Sequence, residues 1–251
     1  MCSSDLFDTV EPALAYAARF SGRVAVKADG LAGGKGVTVC GSLPEAEAAL
    51  RASLEEERFG GAGRTVIVEE ALDGPELSVI ALADASGMLV LPGARDHKRL
   101  GDGDSGPNTG GMGAVSPAPG TDDALVAAIA ERFHRPVLAE LARRGMPFRG
   151  ALFGGFILTA QGPRLLEFNV RIGDPEAEAI LPRLAVPLAR LLHAVAHDRL
   201  MPEAAAIGIR GPLLPVLAGA GASIVLARSE EHTAELPSLA YLVCRLLLEK
   251  K

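Results

Sequence analysis

Cysteine is scarce in this chain: Cys2, Cys40 and Cys244 are its only three, odd in number and far apart in 251 residues. That spacing argues against a disulfide framework and a zinc site. It points to a reducing compartment, so a cytoplasmic location is expected. Long apolar runs are also lacking. No stretch approaches about 18 uninterrupted apolar residues, which excludes a membrane-spanning helix on sequence grounds. No secretory signal pattern opens the chain, and no internal repeat is visible. Positive charge is in deficit: 25 Lys and Arg face 31 Asp and Glu, for a net charge of −6. This removes the electrostatic case for a nucleic-acid partner. What is present, 49% apolar and 22% charged residues, is ordinary for one or two globular domains with enough length for a core.

The pattern along the chain predicts its elements. Val24–Lys27 is a short apolar strand, followed by a Gly-rich loop, Asp29–Gly36, and a second strand, Val37–Cys40. A helix starts at Ser42, with Glu45 three residues on as a capping box and Pro44 in its first turn; it runs to about Arg58. Thr65–Glu69 is a β-branched strand, and Leu77–Ala83 with Met88–Pro92 forms a hairpin. Arg95–Pro119 is a long loop rich in Gly, Pro, Asp and Asn, of a length that is functional or disordered in compact domains. A helix from Thr121 or Asp122 to about Arg144 carries Leu125, Ile129, Phe133, Val137 and Leu141 on one stripe, with a kink expected at Pro136. Ala151–Thr159 and Arg164–Val170 form a second hairpin, and Glu176–His197 is helical with breaks at Pro182 and Pro187. Strands arriving as hairpins predict an antiparallel α+β fold and not a doubly wound parallel sheet.

Three segments carry chemistry. In Leu165–Arg171, strand alternation places Leu166, Phe168 and Val170 on one face and Glu167, Asn169 and Arg171 on the other, each roughly 7 Å from the next. A carboxylate beside an amide oxygen suits Mg²⁺, which leaves coordination positions for phosphates. The neighbouring guanidinium can hold a phosphoryl group bidentately. Lys27–Gly36 is a candidate phosphate loop, because glycines let backbone N–H groups converge on an anion. It is not a Walker A loop: only three residues separate Gly30 from Gly34, and Gly36 follows Lys35. Asp96-His97-Lys98-Arg99 and Gly106–Gly113 form a loop suited to close backbone approach to a small polar ligand. Glu69, Glu70 and Leu72 at a strand end, with Glu76 beyond, suit a purine and its ribose. His97, His134, His193 and His197 are read as structural; the last two have i, i+4 spacing but no acidic or Cys partner nearby in sequence.

Taken together, these strings resemble the ATP-grasp ligases and, among them, the phosphoribosylamine–glycine ligase family. The resemblance is carried by Val26–Leu31 through Gly34–Val37, by Asp96–Arg99, by Gly106–Gly113 continuing into Ser116–Pro119, and by Glu167-Phe168-Asn169 with Arg171 and Gly173–Glu176. It spans about Phe7 to Ala227. Glu-x-Asn-x-Arg marks ATP-grasp enzymes broadly. Asp-His-Lys-Arg and Gly-Asp-Pro-Glu point to this family and away from biotin carboxylases, carbamoyl-phosphate synthetases and D-Ala–D-Ala ligases.

The resemblance implies an α+β ATP-grasp fold, two subdomains with antiparallel sheets gripping ATP. It implies ligation of glycine to 5-phosphoribosylamine through a glycyl phosphate, giving glycinamide ribonucleotide, ADP and phosphate in purine biosynthesis. Glu167 and Asn169 would hold Mg²⁺ or Mn²⁺. Lys27, Gly33, Gly34, Lys35 and Gly36, with Glu69, Glu70, Leu72 and Glu76, would bind ATP. Arg171, Lys98 and Asp96 would act in catalysis. Asp96, Lys98, Arg99, Asn108, Thr109, Gly110, Gly111, Arg171, Gly173 and Asp174 would bind the other substrates. The expected subdomains are 7–63 and 64–200, with 201–227 opening a C-terminal domain and Ile224–Ala227 as its first strand. The family also begins with an N-terminal α/β domain of about one hundred residues. The chain is therefore read as a fragment, with 1–6 and 228–251 as foreign tails outside the fold. The alternatives are another ATP-grasp carboxylate–amine ligase or a nucleotide-binding fragment without turnover.

Overall fold

The computed structural model describes residues 3–30, 32, 36–103 and 105–225. The chain divides after Asp73 into two compact units. Among the described residues no helix is long and apolar enough to cross a membrane.

The first unit is a four-stranded antiparallel sheet with two helices on one face. Its elements are β1 (Ser4–Phe7), α1 (Val10–Ala18), β2 (Arg23–Ala28), β3 (Val37–Gly41), α2 (Leu43–Leu54) and β4 (Val66–Glu70), and the sheet order is β1-β4-β2-β3. Alternation along β2 and β4 sends Val24, Val26, Val66 and Val68 inward, where they meet Val10, Ala13, Ala17, Ala46 and Leu50 from the helices. Leu50 is fully buried, so truncating it to Ala would cost about 2–5 kcal/mol. Ser42 caps α2 by accepting from the Glu45 N–H at 3.5 Å, while the Glu45 carboxylate accepts from the Gly41 N–H at 2.9 Å. The helix stops at Leu54, short of the expected Arg58, and Glu57 nearby takes a left-handed φ of 50°.

The second unit is built on one strand. Its first elements are β5 (Glu76–Asp84) and β6 (Gly87–Val90), and its sheet order is β12-β11-β5-β6, with β11 at Gly150–Thr159 and β12 at Gly162–Asn169. β5 is buried on both faces. Leu77, Val79, Ala81 and Ala83 point into one hydrophobic cluster, Ile80 and Leu82 into another. The first cluster is closed by α3 (Asp123–Ile129), whose N-terminus Asp122 caps by accepting the Leu125 N–H at 2.8 Å. The second is closed by α5 (Glu176–Ile180), α6 (Leu188–Ala196) and α7 (Leu200–Ala206). The Asp84 carboxylate accepts the Leu200 N–H at 2.7 Å, so the β5–β6 turn caps α7.

Four sequence expectations are corrected. The unit boundary lies after Asp73 and not after Gly63, because β4 pairs with β2 and β1 and so completes the first sheet. Ser4–Leu6, set outside the fold by sequence, form most of β1 and pair with Ile67–Glu69. Residues 201–225 pack with the second unit and do not stand apart from it. Leu200, Ala204, Ile209 and Leu214 share a cluster with Ile80, and β13 (Gly221–Ile224) pairs with β10 (Gly113–Ser116). The described residues of Arg95–Pro119 carry short paired strands and are not a plain loop: β7 (Arg95–Asp96) pairs with β10, and β8 (Arg99–Gly101) with β9 (Ser105–Asn108). Residues 226–251 lie outside the described residues.

The expected kink near Pro136 is a π turn at Ala130–His134, leading into α4 (Arg135–Arg143). Proline has no N–H to give to the carbonyl four residues back, which loosens the helix there. The extra residue turns His134 into the core, where it is fully buried. Its Nε2–H donates to the Val79 carbonyl at 3.2 Å, and its ring meets Phe168 edge-on at 5.2 Å. Gly154 admits this ring, since a Cβ there would stand 2.9 Å from His134 Cε1.

Candidate active site

In the second unit the candidate residues come from strand ends. β12 carries Glu167 and Asn169, and the Asn169 amide donates to Glu167 Oε1 at 3.1 Å. The two side chains are neighbours, as alternation predicts. The alternation itself is interrupted upstream. Phe156 pairs with Leu165 and Gly155 with Glu167, so a bulge leaves Leu166 unpaired. Leu165, and not Leu166, therefore packs with the cluster that holds Phe156. β12 ends at Asn169, so Arg171 is placed by the following turn and not by the strand. Its guanidinium lies over the Phe153 ring at 5.7 Å.

Lys98 is the charged centre of this region. Its ammonium pairs with Glu76 at 3.0 Å. Partial burial works to lower its pKa, but the carboxylates of Glu76, Asp96 and Glu167 outweigh burial and the net shift is upward. Asp96 is buried, and its Oδ1 finds no hydrogen-bond partner among the described residues. Burial, then the nearby Glu176 carboxylate, pushes its pKa up to about 8. Glu176 is itself buried and accepts from the Ser78 hydroxyl at 2.6 Å. Sequence reasoning placed Glu176 in a family string without a role and did not single out Ser78. An acid in the first turn of a helix reads as a surface dipole partner, and the β5 register that buries it is not visible in sequence.

The Arg95–Pro119 segment closes over Asp96. Thr109 donates both its N–H, at 2.7 Å, and its hydroxyl, at 2.9 Å, to the Lys98 carbonyl. Gly111 has φ +128°, and a Cβ there would meet Pro175 Cδ at 2.4 Å and Asp96 Oδ1 at 3.0 Å. Only glycine fits that approach. Arg99 is turned away, donating to the Gly106 carbonyl at 2.8 Å. Gly110 and Asp174 are exposed, and Gly173 is buried beside Glu176. The Asn108 side chain lies outside the described residues.

In the first unit Lys27 pairs with Glu69 at 2.5 Å, both largely buried. They share the sheet face opposite the helices with Ile67 and Val37. Glu70 aligns with inward-facing Val24 and is half-buried on the helix side; Leu72 follows the strand. The Ala28 N–H donates to the Gly36 carbonyl at 2.8 Å, closing the base of the Gly-rich loop. Gly33, Gly34 and Lys35 lie outside the described residues. Glu76, grouped with Glu69 by sequence, belongs to the second unit, where Lys98 holds it.

The model of the phosphoribosylglycinamide synthetase ATP-grasp (A) domain matches residues 1–177. The chain belongs to this family. Among curated relatives, the phosphoribosylamine–glycine ligase of Rhodopirellula baltica is 48% identical over 177 residues, 70% of this chain and 40% of that protein. The Rhizobium meliloti ligase is 47% identical over 194 residues, 77% of this chain and 46% of that protein. The chain thus spans about half the length of the curated relatives it matches. The crystal structure of the Thermotoga maritima phosphoribosylamine–glycine ligase superposes with a TM-score of 0.79 at 30% identity, covering 94% of this chain and 57% of that one. The phosphoribosylglycinamide synthetase family accounts for the α+β ATP-grasp fold and for the chain order of the strings in both units.

The family implies a divalent ion. Among the described residues no group of three or more His, Cys, Asp and Glu side chains could hold one. The pair Glu167 and Asn169 fits a hard cation that takes its remaining oxygens from phosphates and water. The Asn169 amide nitrogen faces Glu167, which leaves its carbonyl oxygen for the ion.

Proposed function

We propose that the chain carries the ATP-dependent chemistry of a phosphoribosylamine–glycine ligase. ATP, glycine and 5-phosphoribosylamine give glycinamide ribonucleotide, ADP and phosphate. The observation that supports it best is the grouping of Glu167, Asn169, Lys98 and Asp96 at neighbouring strand ends of a family-matched unit. The glycine carboxylate attacks the γ-phosphoryl group, and the amine then displaces phosphate from the acyl phosphate. In such transfers the protein chiefly positions reactants and stabilises charge. Arg171 is exposed and stacked on Phe153; one guanidinium nitrogen donates to the Ile172 carbonyl at 3.3 Å, and the other N–H groups can fork onto phosphoryl oxygens. Lys98, kept cationic by the Glu76 and Glu167 carboxylates, offsets charge developing on the same oxygens. Asp96, protonated at neutral pH, presents a buried carboxyl to the amine-bearing substrate. Lys27 and the Gly-rich loop hold the ATP phosphates. Mg²⁺ or Mn²⁺ would be held by Glu167 and Asn169 and would neutralise phosphate charge.

The test is ADP release by the full chain with each acid and amine supplied in turn. Release that requires both glycine and 5-phosphoribosylamine supports the reading. ATP binding without release would assign the chain a nucleotide-binding role only, and release with another acid would assign a different ATP-grasp ligase.

A further inference from the structure

Away from this site, a cleft of about 460 Å³ lies between α6 and α7. His193 and His197 line it with Arg190, Arg199 and Glu203. The two histidines are one helical turn apart, both exposed, with ring centroids 4.3 Å apart. His197 Nδ1 stands 2.8 Å from the His193 carbonyl. A carbonyl can only accept, so Nδ1 carries the hydrogen, and in the neutral ring Nε2 keeps its lone pair. This backbone bond is the support that usually fixes the tautomer and orientation of a metal-binding histidine. Glu203, the one carboxylate lining the cleft, is held by Arg190 in an ion pair. The pair therefore offers nitrogen without a bound carboxylate, which suits imidazole-preferring late transition ions and not Mg²⁺ or Ca²⁺.

We propose that His193 and His197 form a two-nitrogen chelate for a late first-row divalent ion, Cu²⁺ most strongly, completed by water in the cleft. Each imidazole coordinates through a nitrogen lone pair that a proton would otherwise occupy, so ion and proton compete for the pair. The charged groups around them are Arg190 on α6, Arg199 and Glu203 on the α7 side, and Asp198, which Arg149 holds. Arg199 opposes a cation, and the chelate must outweigh it. A bound ion would tie the last turn of α6 to His197 at its C-terminal cap; Leu191, Ala194 and Val195 of the helix lie in the core. The ion would thus stabilise the helix against fraying.

The test uses the full chain with excess Mg²⁺, which occupies hard-cation sites. CuCl₂ is titrated calorimetrically at pH 7.5 and pH 5, and the bound ion is examined by electron paramagnetic resonance. The expected result is one Cu²⁺ with two-nitrogen hyperfine coupling at pH 7.5 and at least tenfold weaker binding at pH 5. His193→Ala and His197→Ala, at exposed positions that the fold tolerates, should each weaken binding at least tenfold and remove the coupling. Affinity unchanged in either variant, or retained at pH 5, would overturn the assignment.

Discussion

Replacing Asp96 by Asn should make the protein more stable and less active. In the folded protein burial and the Glu176 carboxylate raise the Asp96 pKa from 3.8 to about 8. Between those values the folded state keeps a proton that the unfolded chain releases, so stability falls as pH rises through this window. At pH 7 the window already crossed is about three units. At about 1.36 kcal/mol per unit this amounts to roughly 4 kcal/mol of lost stability. Asn has the same shape and never ionises, so it escapes that penalty. Its amide must still be buried with incomplete partners, which returns about 1–2 kcal/mol. The expected gain at pH 7 is therefore about 2–3 kcal/mol, shrinking toward zero or below at pH 4. Urea unfolding followed by far-ultraviolet circular dichroism is the suitable assay, since the chain has no tryptophan. A difference between variant and parent that stays constant from pH 4 to pH 8 would refute the reasoning. A stabilised Asp96→Asn protein with undiminished ligase activity would separate the burial argument from the proposed substrate role.

Three further outcomes are expected. Glu167→Ala should abolish metal-dependent ATP affinity while leaving the circular dichroism spectrum intact, and unchanged Mg·ATP binding by calorimetry would remove the metal assignment. Burial holds the His134 pKa down at about 4 against an ordinary 6.5. The unfolded chain binds this proton first, so acidification from pH 6.5 to 4 should cost up to about 3 kcal/mol through this residue. His134→Phe should remove that component from the pH profile, and identical slopes in parent and variant would contradict it. Hydrogen exchange of the Ala28 amide, bonded to the Gly36 carbonyl, should slow when an ATP analogue is added. Indifference to nucleotide would count against the phosphate-loop assignment.

The adjacency of the candidate site residues was legible in the sequence, and their surroundings were not. Glu167 and Asn169 sit side by side because both belong to one strand face, a local property. The Leu166 bulge disturbs the same strand without any local signal, since it arises from matching β12 to β11. Val24–Lys27 and the hairpins were readable from β-branched and turn residues. The short strands between Arg95 and Ser116 were not, because their Gly and Pro content mimics a loop and the partner of β10, β13, is far off in sequence. Likewise, the first-unit boundary depended on β4 returning to pair with β2, which no linker composition marks. The burial of Glu176, at the start of α5, goes with its bond to Ser78 on β5, 98 residues earlier. Long-range pairing and burial are the parts a periodicity cannot supply.

The strand β5 joins both hydrophobic clusters of the second unit, with Glu76 and Ser78 at its beginning. Its amides can open only when both clusters come apart, so they share the unit's slowest exchange class. The partners of Lys98 and Glu176 are thereby anchored to the part of the molecule least able to breathe. Arg171, beyond the end of β12, is held from the exposed side, by its stack on Phe153 and a bond to the neighbouring Ile172 carbonyl. Mild denaturant should then blur the position of the guanidinium before it disturbs the carboxylates, so the phosphoryl contact proposed for Arg171 should be lost first.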